Sequence, residues 1–247
     1  MIKDKRISQI ICIFIYAISF YLSYLLLPQS ISYIWMKITL WHIYATLFIY
    51  IGSVILKNSS LYDPFWSVAP VPIVIYLAII SDNSMLLKIL VTFPIIFWAA
   101  RLTRNWLISW KGFEHEDFRY IDLKNTNIYK AEFNNFFGIH LFPTLIVNIC
   151  LYPLVFIFLN PIEVTPFLYF ASIFTFMAVV LETVSDEQMR HFRSNPNNKG
   201  KTMKYKLWKY SRHPNYLGEI CFWFGIYFMG LSSNLAPIWI IICPLSC

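Results

Sequence analysis

The stretch that decides the fold runs from Leu181 to Glu219: LETVSDEQMRHFRSNPNNKGKTMKYKLWKYSRHPNYLGE. It leaves one apolar run, crosses a polar segment and enters another. Eight of its residues are Lys or Arg: Arg190, Arg193, Lys199, Lys201, Lys204, Lys206, Lys209 and Arg212. On a helix advancing about 100° per residue, Glu182, Asp186, Arg190 and Arg193 fall at about 0°, 40°, 80° and 20°. They form an acid–acid–base–base stripe on one face, running out of the membrane. Asn215 and Glu219 make a second (i, i+4) pair on the next helix. If those helices touch, six polar side chains converge beside a basic loop, a setting for a polar, anionic ligand at a membrane surface. The competing reading for the 199–209 lysines is a solvated loop facing lipid headgroups.

Outside this stretch the chain is mostly apolar. Of 247 residues, 58% are hydrophobic and 13% charged, against about 25% charged in a soluble domain. Seven apolar runs are legible: Ile7–Leu27, Ile34–Leu56, Asp63–Ile80, Leu86–Ile108, Ile139–Leu159, Pro166–Thr183 and the shorter Tyr216–Leu231. The first has 21 residues, enough to cross a bilayer, which takes about 20. No small-residue cleavage motif follows it, so it reads as an anchor. The third carries Pro64, Pro70 and Pro72, which predicts a kinked helix packed against protein, where neighbours re-satisfy the freed carbonyls. A last apolar stretch of 13 residues, Leu235–Cys247, spans only about 20 Å as helix, short of the ~30 Å hydrocarbon core. The fold class expected is therefore all-α: one integral membrane domain over residues 1–247, a bundle of about seven transmembrane helices with a partial last helix.

The charge of +7 has a topological explanation. Placing the N-terminus in the cytoplasm puts 16 of the 20 basic residues in the N-terminal end and the loops of that side, as the positive-inside rule requires. Arg101 and Arg104 lie at the inner end of the fourth run, and only Lys37 and Lys88 remain for the far side. Nucleic acid is not needed to account for the basicity, and nothing marks an obligate protein partner. The five cysteines have no CxxC spacing, an odd count and mostly apolar neighbours, which predicts packing rather than disulfides or metal binding. Gly200-Lys201-Thr202 lacks the first glycine of a phosphate loop, because Asn195 stands there. His115-Glu116 lacks the second histidine of a zinc-protease helix, because Arg119 stands there.

The remaining acids at or near membrane depth are Asp63, Glu182, Asp186 and Glu219. Asp63, just before Pro64, has the natural position of a helix N-cap. Yet an ionisable group at membrane depth costs ~2.5–3.5 kcal/mol on insertion scales, and four acids near Arg101, Arg104, Arg190, Arg193 and Arg212 suggest a site. Arginine grips phosphate bidentately, while Asp, Glu and Asn suit ribose hydroxyls and a carboxamide. The set fits a nucleotide carrying phosphates and a nicotinamide. The dense run His115-Glu116-Asp117-Phe118-Arg119-Tyr120 reads either as a cover for the mouth of that site or as a surface ion-pair cluster.

These residues carry a resemblance. Asp186, Arg190, Arg193, the NKGK stretch 198–201 and Ser211-Arg212-His213-Pro214-Asn215-Tyr216-Leu217-Gly218-Glu219 resemble the steroid 5α-reductase superfamily, most of all its bacterial-type branch of membrane reductases. Asp63-Pro64-Phe65-Trp66 and Glu114–Tyr120 fit the same branch, and the resemblance covers roughly residues 60–247, leaving 1–60 as N-terminal helices. It implies a reductase using NADPH to reduce a carbon–carbon double bond conjugated to a ketone, in a steroid-like or other lipid. By position it implies cofactor contacts from Arg101, Glu182, Asp186, Arg190, Arg193, Arg212, Asn215 and Glu219, and a substrate-carbonyl contact from Asp63. Two departures stand out: steroid-reducing members carry tyrosine where this chain has Trp98, and asparagine where it has Glu182. Such relatives also continue through a full last helix and a basic, aromatic tail, so the chain reads as C-terminally truncated. The RHPNYLGE element alone is also similar to isoprenylcysteine and phospholipid methyltransferases. A membrane methyltransferase using S-adenosylmethionine, or a non-catalytic relative, is therefore the alternative. Either way the protein is expected in the bacterial inner membrane or the endoplasmic reticulum, with N-terminus and cofactor site cytoplasmic.

Overall fold

In hydrocarbon a backbone polar group has no water to bind, and the helix pairs every such group within its own segment. The computed structural model describes residues 4–246, and among them every regular element is helical and none is a strand. Six helical stretches are long and apolar enough to cross a membrane: Lys5–Leu25, Ile34–Leu56, Ser59–Ile80, Met85–Ser109, Ile128–Leu151 and Pro166–Ser194. The protein is an all-α, multi-pass membrane protein. Lys3, one of the basic residues of the N-terminal end, and Cys247, the last residue of the final apolar stretch, lie outside the described residues.

The chain divides into two compact units. The first contains the described residues up to Tyr76 together with Ala99–Tyr152; the second contains Leu77–Trp98 and the chain from Pro153 onward.

In the first unit, α1 (Lys5–Leu25) starts on an Asp4 N-cap, whose carboxylate accepts from the N–H groups of Arg6 and Ile7 at 2.7 and 3.0 Å. It packs on α2 (Ile34–Leu56), and Tyr16 donates to the Leu61 carbonyl at 2.6 Å. The core beneath gathers Ile49, Leu61, Tyr62, Phe65, Trp110 and Phe113. Side chains of α1 also finish another helix. Lys5 Nζ and Gln9 Nε2 donate to the Ile108 and Leu107 carbonyls at 3.0 and 2.9 Å, satisfying acceptors at the end of the Met85–Ser109 helix that have no partner within it.

The third apolar run is broken, as its prolines predict. A 3₁₀ turn over Ser59–Tyr62 leads to α3 (Phe65–Val68) and then α4 (Pro70–Ile80). α5 (Met85–Ser109) carries Pro94 inside it. The loop that follows holds α6 (Phe118–Lys124) and α7 (Ile128–Phe133). Here the sequence reading needs correction: the fifth span begins at Ile128 rather than Ile139, continues as a π-helix over Asn134–Leu141 into α8 (Phe142–Leu151), and breaks before α9 (Pro153–Leu159). The polar residues that disguised its start are paired inside the unit. Asn134 donates to the Leu123 carbonyl at 2.7 Å, and Asn135 accepts from Ser59 Oγ at 2.8 Å.

In the second unit, α10 (Pro166–Ser194) is 29 residues long, so the helix runs on past Thr183 and carries the polar stripe with it. α11 (Pro214–Leu231) lies close against it, through glycines. A Cβ at Gly218 would stand 2.8 Å from Glu182 Cβ and 2.9 Å from the Ala178 carbonyl; at Gly225 it would stand 2.1 Å from Thr175 Oγ1. With 18 residues and a polar first turn, α11 is outside the group of six apolar spans. The expected partial last helix is present as a short, broken piece. Residues after Pro237 form a 3₁₀ turn, Ile238–Ile241, and a single α-turn, α12 (Ile242–Leu245). Pro237 and Pro244 each remove a backbone donor within that short run.

Candidate functional site

The polar residues singled out in the sequence divide between the two units.

In the first unit the site is built on the turn between α2 and α3. Asn58 caps the 3₁₀ turn by accepting from Ser60 N at 2.9 Å, and its amide donates to the Phe113 and His115 carbonyls at 3.0 and 3.2 Å. Ser59 N donates to Glu116 Oε1 at 2.6 Å, and Asp117 N donates to Ser60 Oγ at 2.9 Å. Tyr120 Oη donates to Asp63 Oδ1 at 2.7 Å. Residues 58–63 and 115–120 are thus joined at one constant offset of 57 positions. The loop is laid in register along the turn. Lys124 bonds both Glu116 and Ser59 Oγ and closes the far end. Asn58, Ser59 and Ser60 are no more than 3% exposed, so the Asn-Ser-Ser sequon is a buried structural element.

Asp63 is not the N-cap of the helix that follows it, which corrects the simplest reading of Asp-Pro. Its backbone is itself helical, φ −52° and ψ −47°; the N-cap of α3 is Pro64, with no side-chain cap bond. Its carboxyl group instead lines a cavity of about 940 Å³ together with Tyr62, Trp66, Trp106, Trp110 and Tyr120. The Trp106 and Trp110 rings stack at 4.9 Å, and their N–H groups, both buried, have no partner among the described residues. At the rim, Arg119 grips Asp117 through Nε and Nη2 at 2.9 and 2.7 Å, holding that carboxyl below the usual carboxylate range. Burial, with the Asp63 charge adding to it, pushes the Tyr120 phenol well up. Tyr120 therefore keeps its proton at neutral pH.

In the second unit, Glu182, Asp186, Arg190 and Arg193 share α10, Asn215 and Glu219 lie in the first turns of α11, and Arg212 stands just before that helix. The two helices touch, as the site required. Glu182, 5% exposed, is packed under Gly218. Arg190 pairs with Glu187 at 2.6 Å, one turn away and half-exposed. Arg193 borders a cavity of about 560 Å³ formed with Asn195, Asn198, Lys199, Gly200 and Lys201. The basic loop is tied to α10: Trp208 Nε1 donates to the Ser185 carbonyl and Leu207 N to Gln188 Oε1, each at 3.1 Å. Arg212 is exposed. Arg101, 5% exposed, falls in the first unit.

Glu219 has an arrangement invisible in the sequence. Its two carboxylate oxygens accept one indole N–H each, from Trp98 at 3.0 Å and from Trp223 at 2.9 Å. Trp98 is fully buried and stacked on Phe222 at 4.6 Å with 10° between planes. Its N–H is therefore engaged with Glu219 and does not serve as a donor to a ligand. Asn215 is the opposite case. Its Oδ1 is buried and has no hydrogen-bond partner among the described residues. A buried acceptor left unmade costs about 1–3 kcal/mol, and a carboxamide N–H₂ or ribose hydroxyl would satisfy it. That orphaned oxygen, with Arg193 and the lysines of the smaller cavity, fits a nucleotide bearing phosphates. Among the described residues no cluster of His, Cys, Asp or Glu suits a metal ion.

The fold and the two sites define a class: a multi-pass helical membrane protein with an acid in an aromatic cavity and a closely packed helix pair that carries acids, arginines and an amide. The chain belongs to the DUF1295 family, a family described as of unknown function, whose model matches residues 48–247. No curated protein and no solved structure matches it.

Proposed function

We propose that this protein is an NADPH-dependent membrane reductase of a carbon–carbon double bond conjugated to a ketone, acting on a steroid-like or other lipid. The observation that carries the reading is Asp63. Its carboxyl group is not consumed as a cap, lines a tryptophan-walled cavity of about 940 Å³, and is held on one oxygen by a phenol. Aromatic walls suit a flat apolar body, and a positioned acid suits its one polar atom. The family's association with steroid 5α-reductase-like membrane proteins points the same way.

NADPH supplies the hydride. Arg193, Arg212 and the 199–201 loop suit its phosphates, Asp186 its ribose, and Asn215 Oδ1 its carboxamide. Glu219, fixed by two indoles, holds the first turns of α11 in place for that purpose. Charge developing on the ketone oxygen is stabilised by donors fixed before the reaction begins, an effect worth about 10²–10³ in rate per donor. The concentration of Lys and Arg in the loops of one side supports a cytoplasmic N-terminus and a cytoplasmic source of the nucleotide.

The experiment is calorimetric titration of the purified chain in detergent with NADPH and, separately, with S-adenosylmethionine. NADPH oxidation is then followed with a Δ4-3-keto steroid and with a long-chain alkyl cyclohexenone. NADPH binding with enone-dependent oxidation is expected. Binding of S-adenosylmethionine alone would replace this reading with a methyltransferase.

A further inference from the structure

Reduction of an enone needs two hydrogens, and a hydride donor supplies only one. Some group must hold the ketone oxygen as it becomes an enolate and give it a proton. We infer that Tyr120 is this catalytic residue, with Asp63 behind it as proton reservoir; the assignment rests on the reductase reading above.

Two other aromatic donors are already engaged, and the indole N–H groups of Trp106 and Trp110, unpartnered among the described residues, can donate a hydrogen bond but are far too weak as acids to give up a proton. Trp98 is fully buried, and its N–H is bound to Glu219. Tyr62, the other phenol lining the Asp63 cavity, is 2% exposed and shares its hydroxyl with Thr144 Oγ1 at 2.9 Å. Tyr120 lines the same cavity, is only half-buried, and lies 2.7 Å from Asp63 Oδ1. Its own position is over-determined. Asp117 caps α6 by accepting from Arg119 N at 2.9 Å, Asp117 N is tied to Ser60 Oγ, and the Arg119 guanidinium lies 5.9 Å from the Tyr120 ring centre. The phenol is thus presented to the acid by a soluble loop that the 58–63 turn holds in register. Acid and donor come from segments 57 residues apart in the chain.

With Asp63 in its acid form the donors run in series, Asp63 to Tyr120 Oη and Tyr120 O–H to the ketone oxygen. When the β-carbon has taken the hydride, the former C=C pair is delocalised as an enolate. Tyr120 gives its proton to the enolate oxygen, and Asp63 gives its own to the phenolate. The enol then takes a proton at the α-carbon from a water that leaves to bulk solvent as hydroxide, and it returns its oxygen proton through Tyr120 to Asp63. One hydride and one water-derived proton are added, and both residues end as they began. The charged rim carrying Lys111, His115 and Glu116 admits that water.

The test uses the full chain in detergent and needs no cofactor for its first readout. Hydrogen bonding to the carbonyl shifts an enone's absorption to longer wavelength, so the spectra of a bound Δ4-3-keto steroid and a bound alkyl cyclohexenone report the donor directly. Wild type should show the shift, Tyr120→Phe should bind the enone without it, and Tyr129→Phe, a phenol 87% exposed on α7, should keep it. Turnover of Tyr120→Phe should fall about 10²–10⁴-fold, the range for a lost general acid, with NADPH affinity unchanged. A shift retained in Tyr120→Phe overturns the assignment while leaving the reductase reading intact. If wild type binds neither enone, the reading itself fails and the assignment fails with it.

Discussion

Gly225→Ala should weaken the α10–α11 pair on which the nucleotide residues stand. The new Cβ would lie 2.1 Å from Thr175 Oγ1, 2.8 Å from Thr175 Cβ and 3.0 Å from Thr175 Cα. Thr175 cannot simply turn away, because its hydroxyl is fully buried and donates to the Ala171 carbonyl at 2.6 Å. One of the clashing atoms is backbone, so the helices themselves must separate, by about half an ångström or more. Overpacking of this kind costs about 1–3 kcal/mol, and a gap must open wherever the separated surfaces had touched. Thermal unfolding in detergent, followed by tryptophan fluorescence, reads that cost. Gly138→Ala serves as control, because a Cβ there meets nothing within 4 Å. Thr175→Ala should recover part of the loss in the double variant, a coupling that independent sites do not show. A Gly225→Ala protein as stable as wild type would refute the close approach of the two helices, and with it the way Asn215 and Asp186 are brought together.

Three further outcomes are expected. Arg193→Ala should weaken NADPH binding at least tenfold, about 1.4 kcal/mol, measured by titration; unchanged affinity would show that the α10 stripe only faces lipid headgroups. Asn58→Ala removes the side chain that binds the Phe113 and His115 carbonyls and should cost about 1–3 kcal/mol. Faster hydrogen exchange over 113–120, with lower turnover although Asn58 touches no ligand, should accompany that loss, whereas unaltered exchange would show that the register is held elsewhere. Cysteines placed at positions 126 and 200 should label only from the cytoplasmic side and one at 82 only from the opposite side; reversed labelling would overturn the orientation.

Much of this architecture is written in hydropathy. The spans from Ile34 to Leu56 and from Met85 to Ser109 sit within a residue of where their apolar runs place them, and the prolines after Asp63 break the third run as backbone chemistry requires. The stripe on α10 was legible because helical periodicity survives outside the membrane. What escaped notice is long-range polar pairing. Asn134 and Asn135 look like loop residues until Leu123 and Ser59 are seen to satisfy them. Asp63 looks like a cap until Tyr120 is found on its carboxylate. Nothing in the sequence shows that Glu219 takes an indole N–H on each of its carboxylate oxygens. A single sequence carries no record of such pairs; only the unusual density of acid, base and aromatic over 114–120 pointed to the loop.

The most direct measurement is the turnover of Asp63→Asn beside its NADPH affinity. Asparagine preserves size and can still accept from Tyr120, but it has no proton to give. Enone-dependent NADPH oxidation should fall about 10²–10³-fold, the usual cost of one lost polarising donor, while NADPH binding stays as in wild type, because the nucleotide residues belong to the other unit. Turnover equal to wild type would contradict the account, since it would leave the acid of the aromatic cavity without a chemical role.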